Sequence, residues 1–125
     1  MIFPTIRAQT VIGQIDQSVI DLLGLPVSEG SPIIIGPLNE KHMIDEHPEN
    51  YIKYFGEIGN ILEKPDYVIP HKDGSLQYVK VFDEHVLVAV RLSSKGVYFA
   101  RSLYVMSPEK VNRWGYLFER YSLPK

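Results

Sequence analysis

Two histidines five positions apart, His42 and His47 in LNEKHMIDEHP (residues 38–48), are the first residues here whose spacing suggests chemistry. As a metal pair they fail on geometry. An offset of five on one α-helix turns the side chains by about 500°, about 140° net, so they point apart. Helical metal-binding histidines sit at i, i+3 or i+4, and no third or fourth ligand accompanies this pair. No metal is expected. As a proton carrier His42 has Glu46 at i+4, a carboxylate able to orient the ring and hold one tautomer; the bland reading of that pair is a weak surface contact. His47 precedes Pro48 and reads as packing at a junction between helices. His71 precedes a turn and reads as exposed, and His85 opens a strand, where it caps a hairpin.

Cations within apolar strands are the second source of chemistry, because an unpaired buried charge is very costly and must reach water or a partner. Alternation along LQYVKVFD puts Tyr78, Lys80 and Phe82 on one face; along VYFARSLYVM it puts Arg101 opposite Ser102 and Tyr104. A solvated outer face of an antiparallel sheet is the competing reading for Lys80 and Arg101. There is no G-x-S-x-G, P-loop or G-x-G-x-x-G. The glycines fall at turns, and no nucleotide cofactor is expected.

The elements that would carry these residues follow from periodicity. Asp16 is placed as N-cap of a helix through QSVIDLLGL, with Gly24 as its C-terminal stop. PIIIG reads as a short buried strand. Asn39 is placed to cap a helix running through His42 to about His47, and Pro48 suits the first turn of the next. That next helix shows one apolar face, Tyr51, Tyr54, Phe55, Ile58, Ile61 and Leu62, and stops before Pro65. The period then changes to two. PDYVIP, LQYVKVFD, HVLVAVRL and VYFARSLYVM read as strands separated by short turns, the first turn carrying Asp73–Gly74. The tail from Ser107 reads as a short capped helix. The expected fold is α+β, N-terminal helices packed on one face of an antiparallel sheet of about four strands.

The 125 residues suit one domain spanning 1–125, with no internal repeat or linker. No apolar run reaches 18 residues, so no membrane span is expected. The start MIFPTIRAQT lacks the pattern of a signal peptide. Zero cysteines exclude disulfides and thiolate chemistry, and a cytoplasmic protein fits. Net charge is −2, against a broadly basic nucleic-acid binder, but it is unevenly spread. Residues 1–90 carry 6 Lys+Arg against 13 Asp+Glu, and residues 91–125 carry 7 against 2. A basic end could meet phosphates, unless the halves simply mix in space.

Taken in order, VIGQIDQSVIDLLGL, IIIGPLNEKHMIDEHPENY, EIGNILEKPDYVI, a DG turn, LQYVKVF and VLVAVRLSSKGVYFARSLYVM resemble the phage-type branch of the Barnase–EndoU–colicin–RelE nuclease superfamily, over roughly residues 11–107. The resemblance implies N-terminal helices before an antiparallel sheet, and metal-independent RNA cleavage. In that reaction the 2′-OH attacks the adjacent phosphate, a base takes its proton, an acid protonates the leaving 5′-oxygen, and cations stabilise the transition state. Position by position it makes His42 the acid or base, His47 the histidine of the HP dipeptide, and Lys80 a basic strand position. Ser102 with Tyr104 matches the hydroxyl motif that positions phosphate or base, and Arg101 or Lys80 clamps the phosphate. It further implies RNA, tRNA included, as substrate, a phage or toxin setting, and an antitoxin or immunity protein as partner. The alternative from another class is a non-catalytic phage or mobile-element regulator on the same scaffold. Such a regulator would bind protein or nucleic acid through the basic aromatic tail of Arg113, Trp114, Tyr116, Phe118, Arg120 and Tyr121. The tail's competing reading is a cover for the sheet.

Overall fold

The computed structural model describes residues 2–124. Short strands open the chain: β1 (Thr10–Gln14), then α1 (Gln17–Leu23), then β2 (Pro32–Ile35). Three helices follow, α2 (Pro37–Glu46), α3 (Pro48–Tyr54) and α4 (Ile58–Glu63), with a 3-10 turn at Phe55–Glu57 between the last two. Four strands then run as a meander, β3 (Tyr67–Pro70), β4 (Leu76–Val81), β5 (His85–Leu92) and β6 (Tyr98–Val105). Two short helices close the described chain, α5 (Pro108–Arg113) and α6 (Gly115–Arg120).

One sheet of six strands results, ordered β1-β2-β6-β5-β4-β3. The meander β3 to β6 is antiparallel throughout, as period-two patterning and tight turns require. The sequence suggests about four strands; six are present because β1 and β2 join at the far edge. β2 pairs parallel with β6 through only Ile33–Tyr98 and Ile34–Phe99. β1 then pairs antiparallel with β2, with a register shift between Val11 and Gly13. Long-range pairings of this kind leave no turn signature in the sequence. Gly13 fits the shift because β1 runs close under α4, where a Cβ would stand 3.1 Å from the Leu62 Cβ.

The N-terminal helices α1–α4 all pack on one face of the sheet, as expected, and the C-terminal helix α6 covers part of the other. On the first face Leu76, Tyr78, Val86, Val88, Val90, Ala100 and Leu103 pack with Val19 of α1, Met43 of α2, Tyr51 and Tyr54 of α3, and Ile58, Ile61 and Leu62 of α4. On the second, Ile69, Val79, Leu87 and Met106 pack with Phe118 of α6. The C-terminal segment is therefore a partial cover of that face. The apolar stripe of residues 51–62 faces the core as its spacing predicts, yet the helix is broken at Phe55–Glu57. Gly56 lies within the break and Gly59 just after it, and glycine inside a helix costs about 1 kcal/mol relative to alanine.

The start of α2 also differs from expectation. Gly36 is the N-cap and Pro37 the first helical residue, while Asn39 reaches back so that its Oδ1 accepts the Gly36 N–H at 2.8 Å. One turn on, the fully buried Glu40 carboxylate ties three segments together. It accepts bonds from Thr5 N (2.7 Å), Thr5 Oγ1 (2.9 Å), Ile6 N (2.7 Å) and Tyr51 Oη (2.6 Å). Burial alone would raise its pKa, but these bonds, from Tyr51 foremost, outweigh it and hold the carboxyl below its ordinary value. Burial and the same bond push Tyr51 up to about 12. Replacing Glu40→Ala strands these donors in the interior and is expected to cost roughly 3 kcal/mol, read by urea unfolding. Because the folded pKa is depressed, the charge-dependent part of this stability is complete above the ordinary carboxylate value and is lost as pH falls through the lower folded value. The wild-type advantage over Glu40→Gln should shrink over that acid window.

Candidate active-site cleft

The site begins with a fault in the β5–β6 ladder. Val90 pairs with Ala100 and Ala89 with Ser102, so Arg101 is an extra residue with no partner on β5. A bulge of this kind re-aims the side chains around it. Strict alternation would separate Arg101 from Ser102 and Tyr104, as the sequence suggests. Across the bulge, Ala100 and Leu103 both face the first core, and Arg101, Ser102 and Tyr104 line one cleft on the second face.

That cleft has a volume of about 340 Å³. Besides the three β6 residues it is lined by Arg91 and Ala89 of β5, Gln77 of β4, Lys110 and Trp114, and by His71, Asp73 and Ser75 of the β3–β4 turn. Gly74 sits at φ 89, and its N–H donates to the His71 carbonyl at 2.9 Å, folding the turn back on itself. The turn's side chains form a chain of bonds centred on Asp73 Oδ1, which accepts from Ser75 N (2.9 Å) and Ser75 Oγ (2.6 Å). Ser75 Oγ accepts in turn from Gln77 Nε2 at 2.7 Å. The two bonds from Ser75, with a smaller contribution from His71, pull the Asp73 carboxyl down to about 2. His71 Nδ1 stands 3.0 Å from Asp73 Oδ1 and 3.4 Å from the Asp73 N–H. Nδ1 accepts the Asp73 N–H in the neutral ring, and the approach to Oδ1 becomes an ion pair when the ring is protonated.

On the other wall Lys110 Nζ donates to the Tyr104 hydroxyl and lies 4.8 Å and 4.6 Å from the Tyr104 and Trp114 ring centroids. Tyr104 keeps its own hydroxyl proton free to donate. α5 is held in register by Ser107, whose Oγ accepts the Lys110 N–H at 3.2 Å. Three cations, Arg91, Arg101 and Lys110, thus share a cleft with the carboxylate of Asp73. All three come from the basic stretch 91–125, so part of its excess positive charge is gathered in this cleft.

The other residues singled out by sequence lie elsewhere. Lys80 is on the Tyr78 face, donates to the Lys64 carbonyl at 2.8 Å, and lines a separate cleft with Asp16, Glu63 and Asp66. His42 is on the outer side of α2, 47% exposed, with Nδ1 4.0 Å from Glu46, and is not among the residues lining the Arg101 cleft. His47 is the corner residue between α2 and α3, its ring 5.2 Å from that of Tyr104. His85 stacks on Phe118 at 5.4 Å. Among the described residues no three His, Asp or Glu side chains gather as a metal site, and no helix is long and apolar enough to cross a membrane. His71, Asp73, Arg91 and Lys110 carry little sequence signal. HKDGS does hold a histidine and an Asx-type turn residue two apart, a spacing that lets the carboxylate reach the ring.

Fold and cleft define a small α+β protein with a cationic site on the second face of its sheet. Residues 10–113 of the 125 match the family model described as phage-Barnase-EndoU-ColicinE5/D-RelE like nuclease3, and the chain belongs to that nuclease family. No curated protein and no solved structure matches the chain.

The depressed Asp73 gives a signed expectation. Its contribution to stability is complete above the unfolded value near 3.8 and is lost as pH falls through about 2. Asp73→Asn should therefore lower the melting temperature by a constant amount above about pH 5, and by progressively less from pH 4 to pH 2. A deficit independent of pH would contradict the bonding assigned to Oδ1.

Proposed function

We propose that the chain is a metal-independent endoribonuclease whose proton carrier is His71. The observation that carries this reading is the His71–Asp73 pair, 3.0 Å apart, lining one cleft with Arg91, Arg101 and Lys110. For catalysis the ring presents Nδ1–H to the Asp73 carboxylate, which stabilises the protonated form, and Nε2 takes the proton from the 2′-OH. The 2′-oxygen forms a bond to phosphorus while the bond from phosphorus to the 5′-oxygen breaks. The Tyr104 hydroxyl protonates that leaving oxygen, with the Lys110 ammonium stabilising the phenolate. Arg91 and Arg101 meet the charge that grows on the phosphoryl oxygens, and Ser102 positions the phosphate. The products are a 2′,3′-cyclic phosphate and a free 5′-hydroxyl.

Family membership supports a nuclease, and the cation cluster supports a phosphodiester substrate. RNA, tRNA included, is the substrate this chemistry requires, because the nucleophile is the 2′-OH. An RNase acting in a cytoplasm endangers the cell that makes it, so an antitoxin or immunity protein is the expected partner in a phage or toxin setting.

Purified protein should cleave RNA in EDTA and leave cyclic phosphate ends, seen by mass spectrometry of the fragments. General acid–base catalysis contributes roughly 10²–10⁴-fold, so His71→Ala should lose about 100-fold or more, and Arg101→Ala a comparable amount. His42→Ala should change the rate by less than about threefold. Loss confined to His42→Ala would move the proton transfer to α2 and refute the assignment to His71.

A further inference from the structure

Beside the cleft runs a second groove, of about 490 Å³, that shares Arg91 and Arg101 with it. The two arginines therefore form a seam between a polar compartment and a more apolar one. The groove's walls are Phe99, Leu92, Leu38 and Pro37, with Asn39, Ser93 and Ser94 among its polar groups. Phe99 is the cross-strand partner of Arg91, so ring and guanidinium stand side by side on the second face. Leu38 is 80% exposed and Leu92 44% exposed, apolar surface that the described chain leaves uncovered. Asn39 adds a polar handle of fixed sense. Its Oδ1 is committed to the Gly36 N–H at 2.8 Å, so the amide presents Nδ2, a donor, to any ligand.

A flat, largely apolar ligand attached to an anion fits both compartments. We propose that this groove is a nucleobase subsite, in which a base flanking the phosphate held by Arg91 and Arg101 packs on Phe99 between Leu38 and Leu92 while Asn39 Nδ2 donates to an acceptor on the base edge. The inference rests on the ribonuclease reading of the adjacent cleft and adds the substrate class. A base stacked in a duplex cannot enter, so the substrate is single-stranded RNA, or a loop whose bases can be splayed out. Trp114 does not offer the same platform, because Lys110 already lies over its ring.

The test uses the full chain and a fluorescent 2′-O-methyl RNA oligonucleotide of mixed sequence, which has no free 2′-OH and cannot be cleaved. Binding is followed by anisotropy for the single strand and for the same strand annealed to its complement, with RNA cleavage measured in parallel. Wild type should prefer the single strand by about tenfold or more, and His71→Ala should keep that preference while losing cleavage. Phe99→Ala should weaken single-strand binding roughly tenfold, the scale of one lost base–aromatic stack, and bring it level with the duplex. Leu38→Glu, a change at an exposed position that leaves the core intact, should do the same by placing a carboxylate in the groove. If both variants melt like wild type and keep its preference, the subsite is refuted, while undiminished RNA cleavage would leave the ribonuclease reading standing. Absence of both binding and cleavage in wild type would overturn the two together.

Discussion

The bulge at Arg101 is the constraint on which the proposed site depends. A β-strand alternates its side chains, so three consecutive residues cannot normally lie in, out and out. By slipping one residue against β5, β6 places Arg101 and Ser102 on the same side while Ala100 and Leu103 both remain buried. The slip is possible because β6, paired with β5 along its length, has a strand on its other edge only at its start, where Tyr98 and Phe99 meet β2. Beyond that point α2 and α3 pack along the strand, and His47 meets Tyr104 at their corner. A helix accepts an irregular edge that a second strand would not, since it makes no ladder of hydrogen bonds.

Two carboxylates then do opposite work. Glu40 is buried and satisfied, and it binds the N-terminal residues Thr5 and Ile6 to α2 and α3. Its worth lies in the donors it would abandon if removed. Asp73 is exposed and held ionised by its own turn, and it orients the one histidine that lines the cationic cleft. On the proposed reading the first secures the framework beside β6, and the second readies a proton acceptor.

Much of the framework was legible in the sequence, and particular residues show where legibility stopped. The four-stranded meander was readable because each connection is short and carries its own turn chemistry, as at Asp73–Gly74. β1 and β2 were half missed: PIIIG reads as a strand, but TVIGQ pairs only through a long-range, bulged register that no local signal announces. Arg101 and Ser102 were picked out by type but assigned to opposite faces, because alternation assumes a perfect ladder. His71 looked like an exposed turn residue, and it is exposed; what sequence alone did not supply was its approach to Arg91, Arg101 and Lys110, which lie 20 or more positions away. Lys80 was singled out on sound grounds, a cation in an apolar strand, and the structure gives it a partner in the Lys64 carbonyl. The family resemblance covered what local reasoning could not, since the order of weak motifs survives where each motif alone says little.

The central claim is that the bulge and the β3–β4 turn build one phosphate site between them. A crystal structure of the chain bound to a 2′-O-methyl dinucleotide tests it most directly. The account predicts the phosphate within hydrogen-bonding distance of both Arg91 and Arg101, with His71 Nε2 facing the 2′-oxygen. A phosphate bound instead beside His42 on α2, or with Lys80 in the Asp16–Glu63 cleft, would contradict it.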